Sequence, residues 1–216
     1  MDETMFHIDY KTISGIVFGA LYQMKNMGRS SHFNERYLHH YFSSQILKEH
    51  PIEFSDTCQF HPEWATEVKN TGRKAKYLRT GKKYCVDDVK GSSGFVDFAL
   101  GSLDSPYCGI EFKMSTIFNK EGVIYDYMKL LDSWNPFNNV VSVVVYYGHK
   151  KHSEWMAADK LTDCVLEAER RLGSRKKAEG PSIHIHFIVA EIYERNATIF
   201  ECTQENGTFM KYNLDN

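Results

Sequence analysis

The cysteines show no pairing scheme. Five of them, Cys58, Cys85, Cys108, Cys164 and Cys202, are scattered over 216 residues without a CxxC spacing. That fits neither a disulfide framework nor a zinc site and reads as reduced cytosolic thiols. No apolar run approaches the roughly eighteen residues of a membrane span, so a membrane role is excluded. The start, Met1-Asp2-Glu3-Thr4, lacks the basic and continuously apolar segments of a secretory signal, and the expected location is the cytoplasm. Asn196-Ala197-Thr198 and Asn206-Gly207-Thr208 match the glycosylation pattern but then read only as polar turns. There is no internal repeat and no low-complexity tract. Nor is there an excess of one charge: 26 Lys and Arg against 28 Asp and Glu leave −2 with histidine neutral, so bulk charge does not announce a nucleic-acid partner.

What is present is ring surface. Aromatic residues make up 14% of the chain and hydrophobic residues 42%, enough to collapse into one ordinary globular domain and too much for disorder along the whole length. The spacing of Ile13, Ile16, Val17, Ala20, Leu21 and Met24 predicts a helix near 12 to 26. Phe33, Tyr37, Leu38, Tyr41, Phe42 and Ile46 predict another over 31 to 48, with Ser30 or Ser31 as N-cap. From 62 to 92 the periodicity vanishes and a loop or irregular insert is expected. Residues 94 to 101 and 107 to 114 alternate as strands, and Leu103, Asp104, Ser105 and Pro106 between them predict a turn and an antiparallel hairpin.

Val123, Ile124, Tyr127, Leu130, Leu131 and Trp134 place a helix over 121 to 134 with Pro136 as its stop. The β-branched run 140 to 146 reads as a central strand covered on both faces. A further helix over 155 to 172 ends at Gly173, with Arg170 and Arg171 in its last turn. Residues 182 to 193, 198 to 202 and 209 to 212 alternate like strands, with turns at 194 to 196 and at Asn206-Gly207. The order implies a single α/β domain with a mixed sheet flanked by helices. Its core spans about 31–190, the basic insert about 62–92 and the C-terminal strands about 182–213.

Chemistry concentrates in the hairpin. Glu111 and Lys113 stand two apart on one strand and share a face, and Phe112 between them faces the other way. With an odd number of loop residues, cross-strand partners have an even sum, so Asp97 joins Glu111 and Lys113. Val96, Phe98 and Leu100 then share the opposite face with Ile110, Phe112 and Met114. Two carboxylates and a lysine at a sheet face make a hard-oxygen site suited to Mg²⁺ or Mn²⁺. Such a site is equipped for phosphodiester hydrolysis, with the lysine beside the attacking water.

Gly94-Phe95-Val96-Asp97 followed by Gly109-Ile110-Glu111-Phe112-Lys113, between a helix bearing Glu35 and a helix at 121 to 134, resembles the PD-(D/E)xK nuclease superfamily. Val96 stands where that pattern has a dispensable proline. The resemblance implies a restriction-endonuclease-like core and a metal-dependent DNA endonuclease. In it Asp97, Glu111 and the backbone carbonyl of Phe112 would be metal ligands. Lys113 would position the water, and Glu35 would be the additional acid of the first core helix. Lys129 or Tyr125 on the following helix would contact substrate phosphate. DNA stands ahead of RNA as substrate, and many members pair two sites in a homodimer to cut both strands.

The segment from 69 to 83 carries Lys69, Arg73, Lys74, Lys76, Arg79, Lys82 and Lys83 without an acid, interleaved with Tyr77 and followed by Tyr84. Such a segment can track phosphates with salt-dependent, sequence-independent affinity; the alternative is a solvated loop. Arg170, Arg171, Arg175, Lys176 and Lys177 read as a helix end and loop. Asp126, Lys129 and Asp132 are spaced as a solvated helix face would be. His39 and His40 cannot both face one side of their helix, so at most one reaches Glu35. His184 and His186 make a metal pair only with a third ligand that the sequence does not offer nearby. Two other classes stay open: a catalytically inactive nucleic-acid-binding module of the same fold, and a protein-interaction domain whose hairpin charges are a salt-bridge cluster.

Overall fold

The computed structural model describes residues 8–27, 34–49, 60–66, 75–147, 158–176, 184–193, 196–203 and 209–213. Helices α1 (Tyr10–Met27) and α2 (Glu35–Glu49) come first. Strands β1 (Phe60–Ala65), β2 (Lys76–Thr80), β3 (Lys83–Val86), β4 (Ser92–Ser93), β5 (Phe95–Gly101) and β6 (Pro106–Ser115) follow. Then come α3 (Lys120–Leu131), β7 (Asn139–Tyr147), α4 (Ala158–Leu172), a 3₁₀ turn (Gly173–Arg175), β8 (His184–Tyr193), β9 (Asn196–Thr203) and β10 (Phe209–Asn213). Ser30 and Ser31 lie outside the described residues; the Tyr37 amide at the start of α2 donates to Asn34 Oδ1 at 3.1 Å. Asn119 caps α3 in the same way, accepting from the Gly122 amide at 3.1 Å.

The main sheet has the order β1-β5-β6-β7-β8-β9-β10. β6, β7 and β8 run parallel and every other pairing is antiparallel. The parallel neighbours are joined through α3 and α4, the crossover helices that parallel strands require. β7 is buried on both faces, as its Val-rich run, interrupted only by the buried Ser142, demands. Val141, Val143 and Val145 meet the α1–α2 layer, while Val140 and Val144 meet the α3–α4 layer. The result is a helix–sheet–helix domain with a mixed sheet. Among the described residues no helix is long and apolar enough to cross a membrane.

The expected irregular insert is in large part strand. β1 adds an edge to the main sheet, and β2, β3 and β4 form a second sheet of order β3-β2-β4. Its hairpin turns on Gly81-Lys82, with Thr80 paired to Lys83. Gly81 has φ +63°, the conformation a tight two-residue hairpin loop places on its first residue. Hydrophobic spacing misses this hairpin because only Tyr77 along it is fully buried, while Arg79, Lys82 and Lys83 are exposed. Thr66 ties the small sheet to the large one. Its hydroxyl donates to the Ala75 carbonyl at 2.8 Å and accepts from the Gly94 amide at 2.9 Å.

Candidate active site

The site forms where two strands separate. β5 and β6 pair through Phe98 and Ile110, and past that point β5 stays with β1 as far as Phe95. Beyond the split, the β6 amides that would have faced β5 are taken by carboxylates. Phe112 N donates to Asp97 Oδ2 at 2.7 Å and Met114 N donates to Glu35 Oε2 at 3.0 Å. A strand residue turns its N–H and C=O to the same edge, so the Phe112 carbonyl also faces the gap. The split changes one sequence expectation: Val96 does not share a face with Phe98 and Leu100. It joins Ala99 in the α3–α4 core, whereas Phe98, Leu100, Ile110 and Phe112 pack under α1 and α2.

His39 is the histidine of its pair that turns inward, and His40 is exposed. Its ring packs edge-on to Phe98 at 5.3 Å, and its Nε2 lies 3.5 Å from Asp97 Oδ2. Burial works against the Asp97 anion, but the His39 contact and the Phe112 amide outweigh it and hold the carboxyl below its usual range.

Glu111 and Lys113 face α3 together, as alternation requires. Glu111 is 3% exposed, and burial is the largest influence on it, pushing its pKa well above the ordinary carboxylate range against the attraction of Lys129. Its Oε1 touches Lys129 Nζ but has no donor in hydrogen-bond geometry. Lys129 also lies 3.2 Å from Asp126 Oδ1 and donates to the Phe95 carbonyl at 2.8 Å. Lys113 Nζ is 3.5 Å from Asp126 Oδ2, and its side chain keeps 30% exposure, so the ammonium reaches solvent. Desolvation lowers the Lys113 pKa, yet Asp126, Glu35 and Glu111 together outweigh that and raise it. Gly94 lets β5 and α3 come this close: a Cβ there would stand 2.9 Å from Lys129 Cδ and from the Tyr125 hydroxyl.

The solvated face expected on α3 is absent. Asp126, Lys129 and Asp132 are all buried: Asp126 and Lys129 face β5 and β6, against Glu111, Lys113 and the Phe95 carbonyl, and Asp132 lies under Tyr77 of the small sheet and Arg175. Asp126 is the site residue that sequence spacing missed. The available signal was that Val123, Ile124, Tyr127, Met128, Leu130 and Leu131 leave α3 little circumference for water. Lys129, expected at substrate phosphate, spends its ammonium on Glu111, Asp126 and Phe95 instead.

The basic segment is divided. Lys69, Arg73 and Lys74 lie outside the described residues. Arg79, Lys82 and Lys83 stand exposed on the β2–β3 hairpin and Lys76 is half-buried on it. The interleaved rings pack inward. Tyr77 donates to Asp132 at 3.0 Å, and Tyr84 stacks on Tyr125 with 4.0 Å between centroids. Arg171 and Arg175, read as a helix end, anchor this hairpin: Arg171 donates to the Tyr84 carbonyl at 3.3 Å, and Arg175 pairs with Asp88 and Asp132. Lys177 and the side chains of His184 and His186 lie outside the described residues.

Among the described residues no three His, Cys, Asp or Glu side chains converge to hold a metal. Asp97 lies close enough to Glu111 to disfavour its anion, and these two carboxylates with the Phe112 carbonyl are the oxygen set available at the split. Mg²⁺ is commonly held by one or two carboxylates, with water and substrate phosphate completing its shell, so this set fits such an ion. Glu111 Oε1 is in contact with the Lys129 ammonium, so a cation bound there would take that ammonium's place. Comparison with protein-family models, with curated proteins and with solved structures returned no match to this chain.

Proposed function

We propose that the chain is a Mg²⁺- or Mn²⁺-dependent nuclease on a restriction-endonuclease-like core, hydrolysing phosphodiester bonds as a DNA endonuclease. The observation that carries this reading is the split between β5 and β6. Beside that split lie Asp97, Glu111 with the Lys129 ammonium against it, and the partly exposed Lys113, with Glu35 on Met114 N.

In this reading Asp97, Glu111 and the Phe112 carbonyl would hold a divalent cation, whose chemistry when bound would be Lewis-acid activation of water and neutralisation of phosphoryl charge. Lys113 remains an ammonium, because the acids around it favour its charged form. It therefore orients the attacking water and faces the developing negative charge rather than removing the proton. His39 and the Phe112 amide fix the Asp97 carboxylate, and Glu35 braces the end of β6. Arg79, Lys82, Lys83 and Lys76, held on an anchored hairpin, supply the salt-dependent grip on the phosphate backbone.

The test is a panel of single- and double-stranded DNA and RNA with Mg²⁺, Mn²⁺ or EDTA, comparing the wild type with Lys113→Ala. Metal-dependent cleavage lost in the variant is expected. Binding to DNA without cleavage under any condition would replace this reading with an inactive binding module.

A further inference from the structure

Around the strand split stand four carboxylates, Glu35, Asp97, Glu111 and Asp126, and two ammonium groups, Lys113 and Lys129. Counted as ionised, two cations against four anions leave two negative charges, the amount one divalent cation neutralises. Partners are unevenly shared within this group. Lys129 has three acceptors, Glu111 Oε1, Asp126 Oδ1 and the Phe95 carbonyl. Glu111 Oε1 has the Lys129 ammonium and no other partner among the described residues. Parted from Glu111, Lys129 would keep two acceptors and its place over the Tyr125 ring, 5.1 Å from the centroid. Parted from Lys129, Glu111 would be a buried carboxylate without compensation.

We infer that Lys129 is an exchangeable counter-ion: it neutralises Glu111 in the metal-free protein and yields that carboxylate to a divalent cation, keeping Asp126 and the Phe95 carbonyl. The inference rests on the reading of Asp97 and Glu111 as cation ligands. Its consequence is competition. Apparent cation affinity is reduced by the fraction of molecules in which Lys129 holds Glu111, and removing Lys129 removes that handicap. Asp126 is the fixed point of the exchange, since it also holds Lys113 at 3.5 Å.

The experiment uses the full chain without nucleic acid. Mn²⁺ is titrated calorimetrically, and thermal melts are recorded in EDTA and in Mn²⁺ for the wild type, Lys129→Met and Lys113→Met. In EDTA, Lys129→Met is expected to melt about 10 °C below the wild type, because it strands Glu111. Mn²⁺ should restore most of that deficit, and the variant should bind Mn²⁺ about tenfold more tightly than the wild type. Lys113→Met removes the same charge without touching Glu111, so both effects should be smaller in it.

Equal Mn²⁺ affinity in the two variants, or a Lys129→Met deficit that Mn²⁺ does not restore, would overturn the exchange and leave the metal-dependent reading in place. No Mn²⁺ binding by any of the three proteins would overturn both. Should Lys129→Met fail to fold, the double variant Glu111→Gln with Lys129→Met decides: a folded double variant supports the pairing, and an unfolded one overturns it.

Discussion

Helix α3 carries two centres of buried charge that are finished differently. At its C-terminal end each Asp132 oxygen has two donors: Trp134 N at 3.0 Å and Arg175 Nε at 3.3 Å on Oδ1, and the Tyr77 hydroxyl and a second Arg175 nitrogen on Oδ2. The Arg175 guanidinium also lies over the Trp134 ring, 4.2 Å from its centroid. Midway along the same helix, where it meets Glu111 of β6, Asp126 Oδ2 has only Lys113 beside it at 3.5 Å and Glu111 Oε1 only the Lys129 ammonium, with no further donor among the described residues. Full satisfaction fixes geometry, and the Asp132 centre clamps the small sheet and the 3₁₀ turn onto α3. Partial satisfaction leaves a buried acid able to take another ligand. The same residue chemistry therefore serves as a staple in one place and, in the proposed reading, as a site in the other.

Removing the acid at each centre tests that contrast. Glu111→Ala is expected to lower metal-dependent cleavage by about three orders of magnitude or more, several kcal/mol of lost stabilisation of the transition state. Its melting temperature should change little, because Lys129 retains Asp126 and Phe95. Cleavage assays and thermal melts on one preparation read both, and an unchanged rate would remove Glu111 from the site. Asp132→Ala is expected to do the reverse. It removes the buried acceptor of the Tyr77 hydroxyl, Trp134 N and two Arg175 nitrogens, leaves Arg175 only the half-exposed Asp88, and should cost about 3–5 kcal/mol, roughly 10 °C in melting temperature, while the folded fraction cleaves at the wild-type rate. A small loss of stability there would erase the distinction between the centres.

Exposed charge should behave like neither centre. Replacing Lys76, Arg79 and Lys82 with alanine should leave melting nearly unchanged and reduce the salt slope of DNA binding by about one for each phosphate that is no longer neutralised. Fluorescence titrations at several salt concentrations measure it, and an unaltered slope would take the hairpin out of the interface. The smallest effect is expected at Glu167, which accepts from Arg170 and Arg171. Its pKa is lowered to about 2, first by the Arg170 hydrogen bond. A lowered folded-state pKa adds stability that is present above the ordinary glutamate range and is lost as pH falls toward 2. Glu167→Gln should therefore flatten the acid limb of stability between about pH 4.5 and 2, and only slightly, because this pair faces solvent. Denaturant melts across that range check it.

Most of the frame was legible. The parity that puts Glu111 and Lys113 on one face follows from strand geometry alone. The Val run had to lie between two layers because nothing else covers both faces of a strand. What was missed has one common cause, coverage by distant segments. The β2–β3 hairpin buries little of its own length, so spacing could not reveal it, and without it Asp132 looks solvated; Asp126 and Lys129 look solvated until α3 is seen to turn them onto Glu111, Lys113 and Phe95. Tyr77 and Tyr84 look like substrate contacts until Asp132 and Tyr125 are found beneath them.

Residue order alone was enough for the periodic elements, the hairpin and the residues that bring oxygen and ammonium groups to β6, because local backbone geometry sets which side chains share a face. Tertiary packing settled which of those charges are partnered. The parting of β5 from β6 turned Val96 to the other core and gave Asp97 the Phe112 amide. The packing of α3 on β5 and β6 placed Lys129 against Glu111, and the closing of the small sheet over the end of α3 covered Asp132. All of these depend on contacts between segments far apart in the chain, where burial and the supply of donors, not spacing, fix the state of each charge.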